Sequence, residues 1–148
     1  MGPINAITHF YTRYFDVFGR ARRFEYAWIL LLHGALVVVV SALTISLGTT
    51  GPVTETESLN GLGQLFMSLY GLICIGSAIP WVTLNIRRFH DMNYTGWMVA
   101  LFAGLWVIPP IGALASIVQF FWVLFGSGTA GENNYGQDPR FSPLNVFN

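Results

Sequence analysis

A chain of 148 residues has room for one domain, yet 53% of it is hydrophobic and only 9% is charged. Soluble domains carry about 25% charged residues, and so few charges cannot cover a water-facing surface of this size. The formal charge of zero, built from seven arginines, no lysine and seven acids, excludes a basic nucleic-acid surface or an acidic disordered tail and makes lipid the main solvent.

Residues 1–18 carry Ile4, Ile7, Tyr11, Tyr14 and Phe18 at spacings of three and four, with Phe10 and Phe15 widening the stripe and Thr8, His9, Thr12, Arg13 and Asp16 largely opposite. That periodicity predicts an amphipathic helix. It either lies in the cytoplasmic interface or packs on the protein's own cytoplasmic face. Gly19 fits its C-terminal cap.

Residues 28–47 are uncharged and form a first span, since about 20 residues at 1.5 Å each cross the roughly 30 Å hydrocarbon core. Residues 62–84 form a second, which Gly71, Gly76 and Pro80 loosen or bend. The first apolar run starts too late and runs too long for a signal peptide. Cys74, the single cysteine, sits within the second span and can form neither an internal disulfide nor a thiolate metal site.

Residues 97–125 are again apolar but carry Pro109-Pro110-Ile111-Gly112 at their centre. Two adjacent prolines remove two backbone donors and disfavour helix just before them. The segment is then one sharply kinked helix or a hairpin of two short ones, each about 18–20 Å long. Arg13, Arg20, Arg22 and Arg23 precede the first span and Arg87 and Arg88 follow the second, whereas the loop from Gly48 to Gly61 holds Glu55 and Glu57 and no basic residue. The positive-inside rule places the N-terminus in the cytoplasm. Arg140 in the tail, residues 126–148, and the Pro-Pro-x-Gly turn chemistry favour the hairpin, which returns the C-terminus to the cytoplasm.

Polar chemistry concentrates in three clusters: Gly19 to Tyr26, Arg87 to Asp91, and Gly131 to Pro139. In the hairpin topology all three meet on one side of the membrane. The candidate headgroup site or structural network comprises Arg20, Arg22, Arg23 and Glu25 from the first, Arg87, Arg88, His90 and Asp91 from the second, and Asn133, Tyr135 and Asp138 from the third. Arginine without lysine is informative, because its planar fork pairs in bidentate fashion with carboxylate or phosphate. The plainer reading is a topology signal with salt bridges to nearby acids. For the third cluster it is a rigid turn, with Tyr135 as a buried anchor and Asp138 paired to an arginine.

In this order, Phe18-Gly19-Arg20-Ala21-Arg22-Arg23-Phe24-Glu25-Tyr26, Arg87-Arg88-Phe89-His90-Asp91, Gly96-Trp97, Pro109-x-x-Gly112 and Gly131 to Pro139 resemble the bacterial membrane-protein family called domain of unknown function 805. The resemblance runs from about Tyr14 to Pro139. Departures are modest: Phe89 where leucine is common, Met98 where a second tryptophan is common, and Ala27 where tryptophan is frequent, with Trp28 adjacent. The resemblance implies a small multi-spanning inner-membrane protein and supplies no activity.

His90-Asp91 holds the minimum for a proton relay or metal site. Adjacent residues rarely aim at one ion, however, and no H-E-x-x-H, cysteine pair or Asp-x-Asp occurs. No metal and no cofactor are therefore expected. Within the spans His33 is the one ionisable group, and no mid-depth carboxylate supports proton-coupled transport. Ala100/Gly104 and Gly112/Ser116 fit close helix packing. A G-x-S-x-G elbow is also missing. The fold class is an all-α polytopic membrane bundle with an N-terminal interfacial helix. Three functional readings follow: a non-enzymatic module binding anionic lipid or a partner protein through its arginine face, an oligomeric channel or small carrier, and an interfacial enzyme acting on a lipid phosphate through His90 and Asp91. Membrane lipids with anionic headgroups, a second copy or a protein are the partners in view; nucleic acid is not.

Overall fold

The computed structural model describes residues 2–50 and 58–140. Within them lie five helices: α1 (Pro3–Thr12), α2 (Arg23–Leu47), α3 (Gly61–Asp91), α4 (Trp97–Leu105) and α5 (Ile111–Phe125). Strands β1 (Thr49–Thr50) and β2 (Ser58–Leu59) pair antiparallel, Thr49 opposite Leu59 and Thr50 opposite Ser58. Glu55 and Glu57 lie outside the described residues.

At 1.5 Å per residue α2 is about 37 Å long and α3 about 46 Å, more than the roughly 30 Å of hydrocarbon they would cross. Length alone does not separate a span from the core helix of a soluble protein; exposure does. Only 11% of the most apolar 18-residue window of either helix is buried. Val38, Ile45, Leu72 and Ile75 all stand largely exposed. So do Trp106 and Val107 just beyond α4 and Leu114 and Phe125 on α5. A protein with this much outward-facing hydrocarbon is stable only in lipid. The fold is that of an all-α membrane protein.

The chain divides into two compact units, Leu30–Ala78 and Met1–Ile29 with Ile79–Asn148. In the Leu30–Ala78 unit, the end of α2 meets the start of α3 at two glycines. A Cβ on Gly48 would sit 2.5 Å from the Cα of Gly63, so both positions require the bare backbone. Asn60 closes the corner: its Nδ2 donates to the Leu47 carbonyl at 2.8 Å, and its Oδ1 accepts from the Gly63 amide at 3.0 Å. The second bond is an N-cap on α3.

The other unit contains all seven arginines. Its core joins Phe10 of α1, Ile29 of α2, Leu84 and Phe89 of α3, Phe102 of α4 and Val123 of α5. Edge-to-face contacts run from Phe10 and Tyr26 to Trp81 and from Phe89 to Trp122. The chain breaks at Pro109-Pro110, whose peptide bond is cis, and α4 and α5 pack on one another across the turn. A Cβ on Gly112 would come within 2.8 Å of the Trp106 Cα, so glycine lets the first turn of α5 lie against the end of α4.

Three local expectations need correction. Helix α1 stops at Thr12 and buries Ala6 and Phe10, one turn apart, leaving Ile4, Tyr11, Phe15 and Phe18 exposed. The widest apolar stripe is not the buried one, because Phe10 finds the aromatic pocket beside Trp81. Gly19 does take the left-handed conformation, at φ 80°, but it lies seven residues past Thr12 and turns the chain toward α2 rather than capping α1. Ala100 and Gly104 are exposed, and a Cβ on Gly104 would meet nothing within 4 Å, so that pair is not a packing seam.

Candidate functional site

The last turn of α3 places Arg88 and Asp91 three residues apart on one face. The Asp91 carboxylate is the hub. One oxygen accepts from Arg88 Nη1 at 2.9 Å and the other from Arg20 Nε at 2.9 Å. Both guanidiniums and the carboxylate are almost wholly buried, a setting in which a lone charge would be prohibitive and a pair needs its remaining donors satisfied.

They are satisfied by backbone. Arg88 Nε donates to the Val123 carbonyl at 2.9 Å and its Nη2 to that of Gly126. Those carbonyls sit at the end of α5, where intrahelical partners run out. Arg20 Nη1 donates to the Gly131 carbonyl at 2.6 Å and Nη2 to that of Thr129 at 2.5 Å. The Asp91 carbonyl in turn accepts from the Thr129 amide at 2.8 Å and from its hydroxyl at 3.1 Å. The segment from Gly126 to Gly136 is thus wrapped around two arginine forks. A Cβ on Gly128 would overlap the Asp91 carboxylate, so this residue must be glycine for the wrap to close.

The rest of the third cluster fastens the same segment. Asn133 Nδ2 donates to the His90 carbonyl at 2.9 Å and to Thr129 Oγ1 at 2.8 Å. The rings of His90 and Tyr135 stack with centroids 3.8 Å apart and planes 4° from parallel. Tyr135 is half-buried rather than a fully buried anchor, because one face of its ring covers His90 and the other stays open. Asp138 accepts from Arg140 Nη2 at 2.7 Å and from the Gly131 amide at 3.2 Å. The Arg140 guanidinium holds the Asp138 carboxyl well below the usual carboxylate range, and the same pair raises Arg140. Glu132 stays exposed.

Glu25 and Arg87 form a separate buried pair, Arg87 Nη1 lying 3.4 Å from Glu25 Oε1. The Arg87 carbonyl accepts from the Ala21 amide at 3.1 Å, tying the first cluster to the second. His90 does not join Asp91. Its Nδ1 lies 3.3 Å from the Gly19 carbonyl oxygen while Asp91 faces the arginines, since side chains one residue apart on a helix diverge by about 100°. A His90-Asp91 relay therefore has no geometric basis; Asp91 pairs with two arginines instead. Among the described residues no three His, Cys, Asp or Glu side chains converge as a metal site.

Arg22 and Arg23 stand apart from all this. With Phe24, Ser127, Asp138 and Arg140 they line a cleft of about 250 Å³ at the N-terminus of α2. Arg22 Nη2 is buried without a hydrogen-bond partner. Sequence reasoning named Arg22 and Arg23 but not Arg140 as a site residue. Nor did it find Thr129 and Gly128, whose only signal, a Gly-Ser-Gly-Thr run, reads as an ordinary turn.

The family described as "Protein of unknown function (DUF805)" matches residues 14–137, a stretch that contains the site apart from Asp138 and Arg140. The chain belongs to this family. The chain is similar to inner membrane protein YhaH of Escherichia coli K12, 34% identical over 125 residues that cover 84% of this chain and 88% of YhaH. Inner membrane protein YhaI of the same organism is 31% identical over 123 residues, covering 83% of this chain and 85% of YhaI. No solved structure matches. The DUF805 motifs therefore acquire a physical meaning here: the arginine, Arg-Arg-x-His-Asp and Gly-to-Pro segments are the three parts of one buried ion cluster.

Proposed function

We propose that this protein is a multi-pass inner-membrane module, non-enzymatic, that holds an anionic lipid headgroup in the Arg22–Arg23–Arg140 cleft. The observation that carries the reading is the division of the arginines. Arg20 and Arg88 are buried against carboxylates and carbonyls, and Arg87, with Nε and Nη2 unpartnered, is enclosed against Glu25 alone, whereas Arg22, with an unpartnered Nη2, lines a cleft beside Arg23 and Arg140. The cleft also sits at a helix N-terminus, where backbone amides and the helix dipole favour an anion. Three guanidiniums (Arg22, Arg23 and Arg140) and two carboxylates (Asp91 and Asp138) line it, and Asp91 is already paired with Arg20 and Arg88.

Topology supports the same side for the charge. The unit Leu30–Ala78 has no arginine, and the unit with the cleft has seven. By the positive-inside rule the cleft and both termini face the cytoplasm, with α4 and α5 entering and leaving the bilayer as a short helical hairpin. A reporter fused after residue 140 would read cytoplasmic, and an external reading would end the hairpin topology.

Each basic residue near an anionic surface contributes about 1 kcal/mol. With Arg140 already shared with Asp138, two free arginines amount to about 2 kcal/mol, a preference of about 30-fold. The test is native mass spectrometry of the full chain released from nanodiscs containing phosphatidylglycerol and phosphatidylcholine. Retained phosphatidylglycerol should exceed phosphatidylcholine by that order in the wild type and fall to parity in Arg22→Gln/Arg23→Gln, with Arg13→Gln as the control. Equal retention in the wild type, or an undiminished preference in the double variant, refutes the site.

A further inference from the structure

A second, chemically different cavity has a volume of about 880 Å³, which falls in the size range of small-molecule sites. Its walls are apolar: Val82 and Ile86 from α3, and Val99, Ala100 and Ala103 from α4. Small side chains on one face of α4 leave the space open, and Gly96 at its head packs so tightly that a Cβ would lie 2.8 Å from Ile86 and 3.3 Å from His90 Nε2. One end alone is polar, where His90, Thr95, Asn134 and Tyr135 line the wall. Among the described residues, no arginine and no acid lines the cavity.

The hydrogen bonding at that end is incomplete in a particular way. His90 is nine-tenths buried. Its Nδ1 faces a carbonyl oxygen, an acceptor, so the ring proton belongs on Nδ1 and donates to Gly19. That fixes Nε2 as the unprotonated nitrogen, an acceptor. Nε2 has no hydrogen-bond partner among the described residues, and it points toward Gly96 at the cavity wall. The Tyr135 hydroxyl, on the ring stacked over His90, has none either.

From this we infer that the cavity takes an uncharged lipid ending in a hydroxyl group, its hydrocarbon chain along the α3 and α4 walls. Its hydroxyl donates to His90 Nε2 and accepts from the Tyr135 hydroxyl. A carboxylate or phosphate headgroup finds no cation here and would set its charge against an acceptor nitrogen. An ester with no hydroxyl leaves Nε2 unsatisfied. The inference stands independently of the arginine cleft, because its ligand carries no charge.

The experiment uses the full chain in phosphatidylcholine nanodiscs with a monoacylglycerol bearing a diazirine in its acyl chain. Photolabelling, mapped by mass spectrometry, should concentrate on Val82, Val99 and Ala100 and saturate. Unlabelled 1-oleoylglycerol should displace it about fivefold better than methyl oleate, the advantage one hydrogen bond confers. His90→Phe keeps the ring stack and should erase that fivefold advantage. Ala103→Trp should abolish labelling by filling the trough, and Ala100→Leu should reduce it should the larger change not fold. Arg22→Gln/Arg23→Gln should leave all of it unchanged. Unsaturable labelling spread evenly over the outward face of α5 overturns the site, as does equal competition by methyl oleate. Cross-links between two copies of the chain through this trough overturn it in favour of an interface.

Discussion

Replacing Asp91 by asparagine removes one negative charge from the contact of two buried arginines, and its cost can be worked from the bonds. The carboxylate accepts from Arg20 Nε and Arg88 Nη1, each at 2.9 Å. Hydrogen bonds to charged groups are each worth about 1.5–3 kcal/mol. The amide oxygen of asparagine can keep one, but its NH₂ group faces the other guanidinium, donor to donor. Both arginines retain carbonyl acceptors, Gly131 and Thr129 for Arg20 and Val123 and Gly126 for Arg88, which moderates the loss. Breaking a buried ion pair by removing one partner costs about 3–5 kcal/mol, and the retained carbonyls place Asp91→Asn near about 3 kcal/mol, some two decades in the unfolding equilibrium. Equilibrium unfolding in mixed detergent micelles, followed by tryptophan fluorescence, measures it. The control is Arg13→Gln: Arg13 and Asp16 are 4.0 Å apart and well exposed, a class of pair worth less than about 1 kcal/mol. If Asp91→Asn unfolds within about 1 kcal/mol of wild type, the carboxylate is not the hub and the wrap of 126–136 rests on its backbone alone.

Three further outcomes follow from the same contacts. Gly128→Ala should destabilise by about 1–3 kcal/mol, the usual cost of overpacking, because its Cβ overlaps the Asp91 carboxylate; combined with Asp91→Asn it should cost less than the sum, read from a double-mutant cycle. Glu25→Gln leaves the fully buried Arg87 without its counter-charge, but at 3.4 Å and through one donor the pair is weaker than that at Asp91, so the same unfolding assay should show a smaller loss than Asp91→Asn. Asp138 titrates below its ordinary value in the folded protein, so its contribution is fully present above the ordinary carboxylate pKa of about 4 and is lost as pH falls further. Proteolytic cutting between 126 and 140 should be constant from pH 8 to 5 and rise in the acid range, whereas Asp138→Asn should cut faster throughout and without that pH dependence.

How much of this the sequence displays depends on the range of the interaction. The long uncharged runs and the Pro-Pro break are local: a window of 20 residues contains the whole signal, and the helices α2, α3, α4 and α5 follow it. Their ends do not, since α2 starts at Arg23 and α3 runs on to Asp91 through charged turns that burial against other segments stabilises. The three polar clusters were legible as clusters, and the likeness to DUF805 fixed their company. Partner choice was not legible. Which carboxylate takes Arg20 depends on a contact 71 residues away, and Gly128 looks like any turn glycine until the Asp91 oxygens are placed beside it. The stripe on residues 1–18 shows the same limit. An amphipathic period shows which face is apolar, but Trp81 decides which part of that face is buried.

The zero net charge is therefore not an even balance but a consequence of where charge can survive. Beside a long apolar helix, a guanidinium is tolerated when its planar fork meets acceptors in several directions at once. Arg20 does this with a carboxylate oxygen and two backbone carbonyls, and Arg88 with a carboxylate oxygen and two others. A lysine offers three donors from a single point on a flexible stem and could not bridge acceptors laid out along a loop, which gives a physical reason for a chain with seven arginines and no lysine. The same geometry explains why Arg22 and Arg23 stand out. They belong to the same residue type in the same cluster, yet no carbonyl or carboxylate has been laid across the buried Nη2 of Arg22. Arg87 also keeps an unpartnered Nε and Nη2, but it is fully buried against Glu25; Arg22 lines a polar cleft, and that is the place where a ligand from outside the chain would complete the pattern.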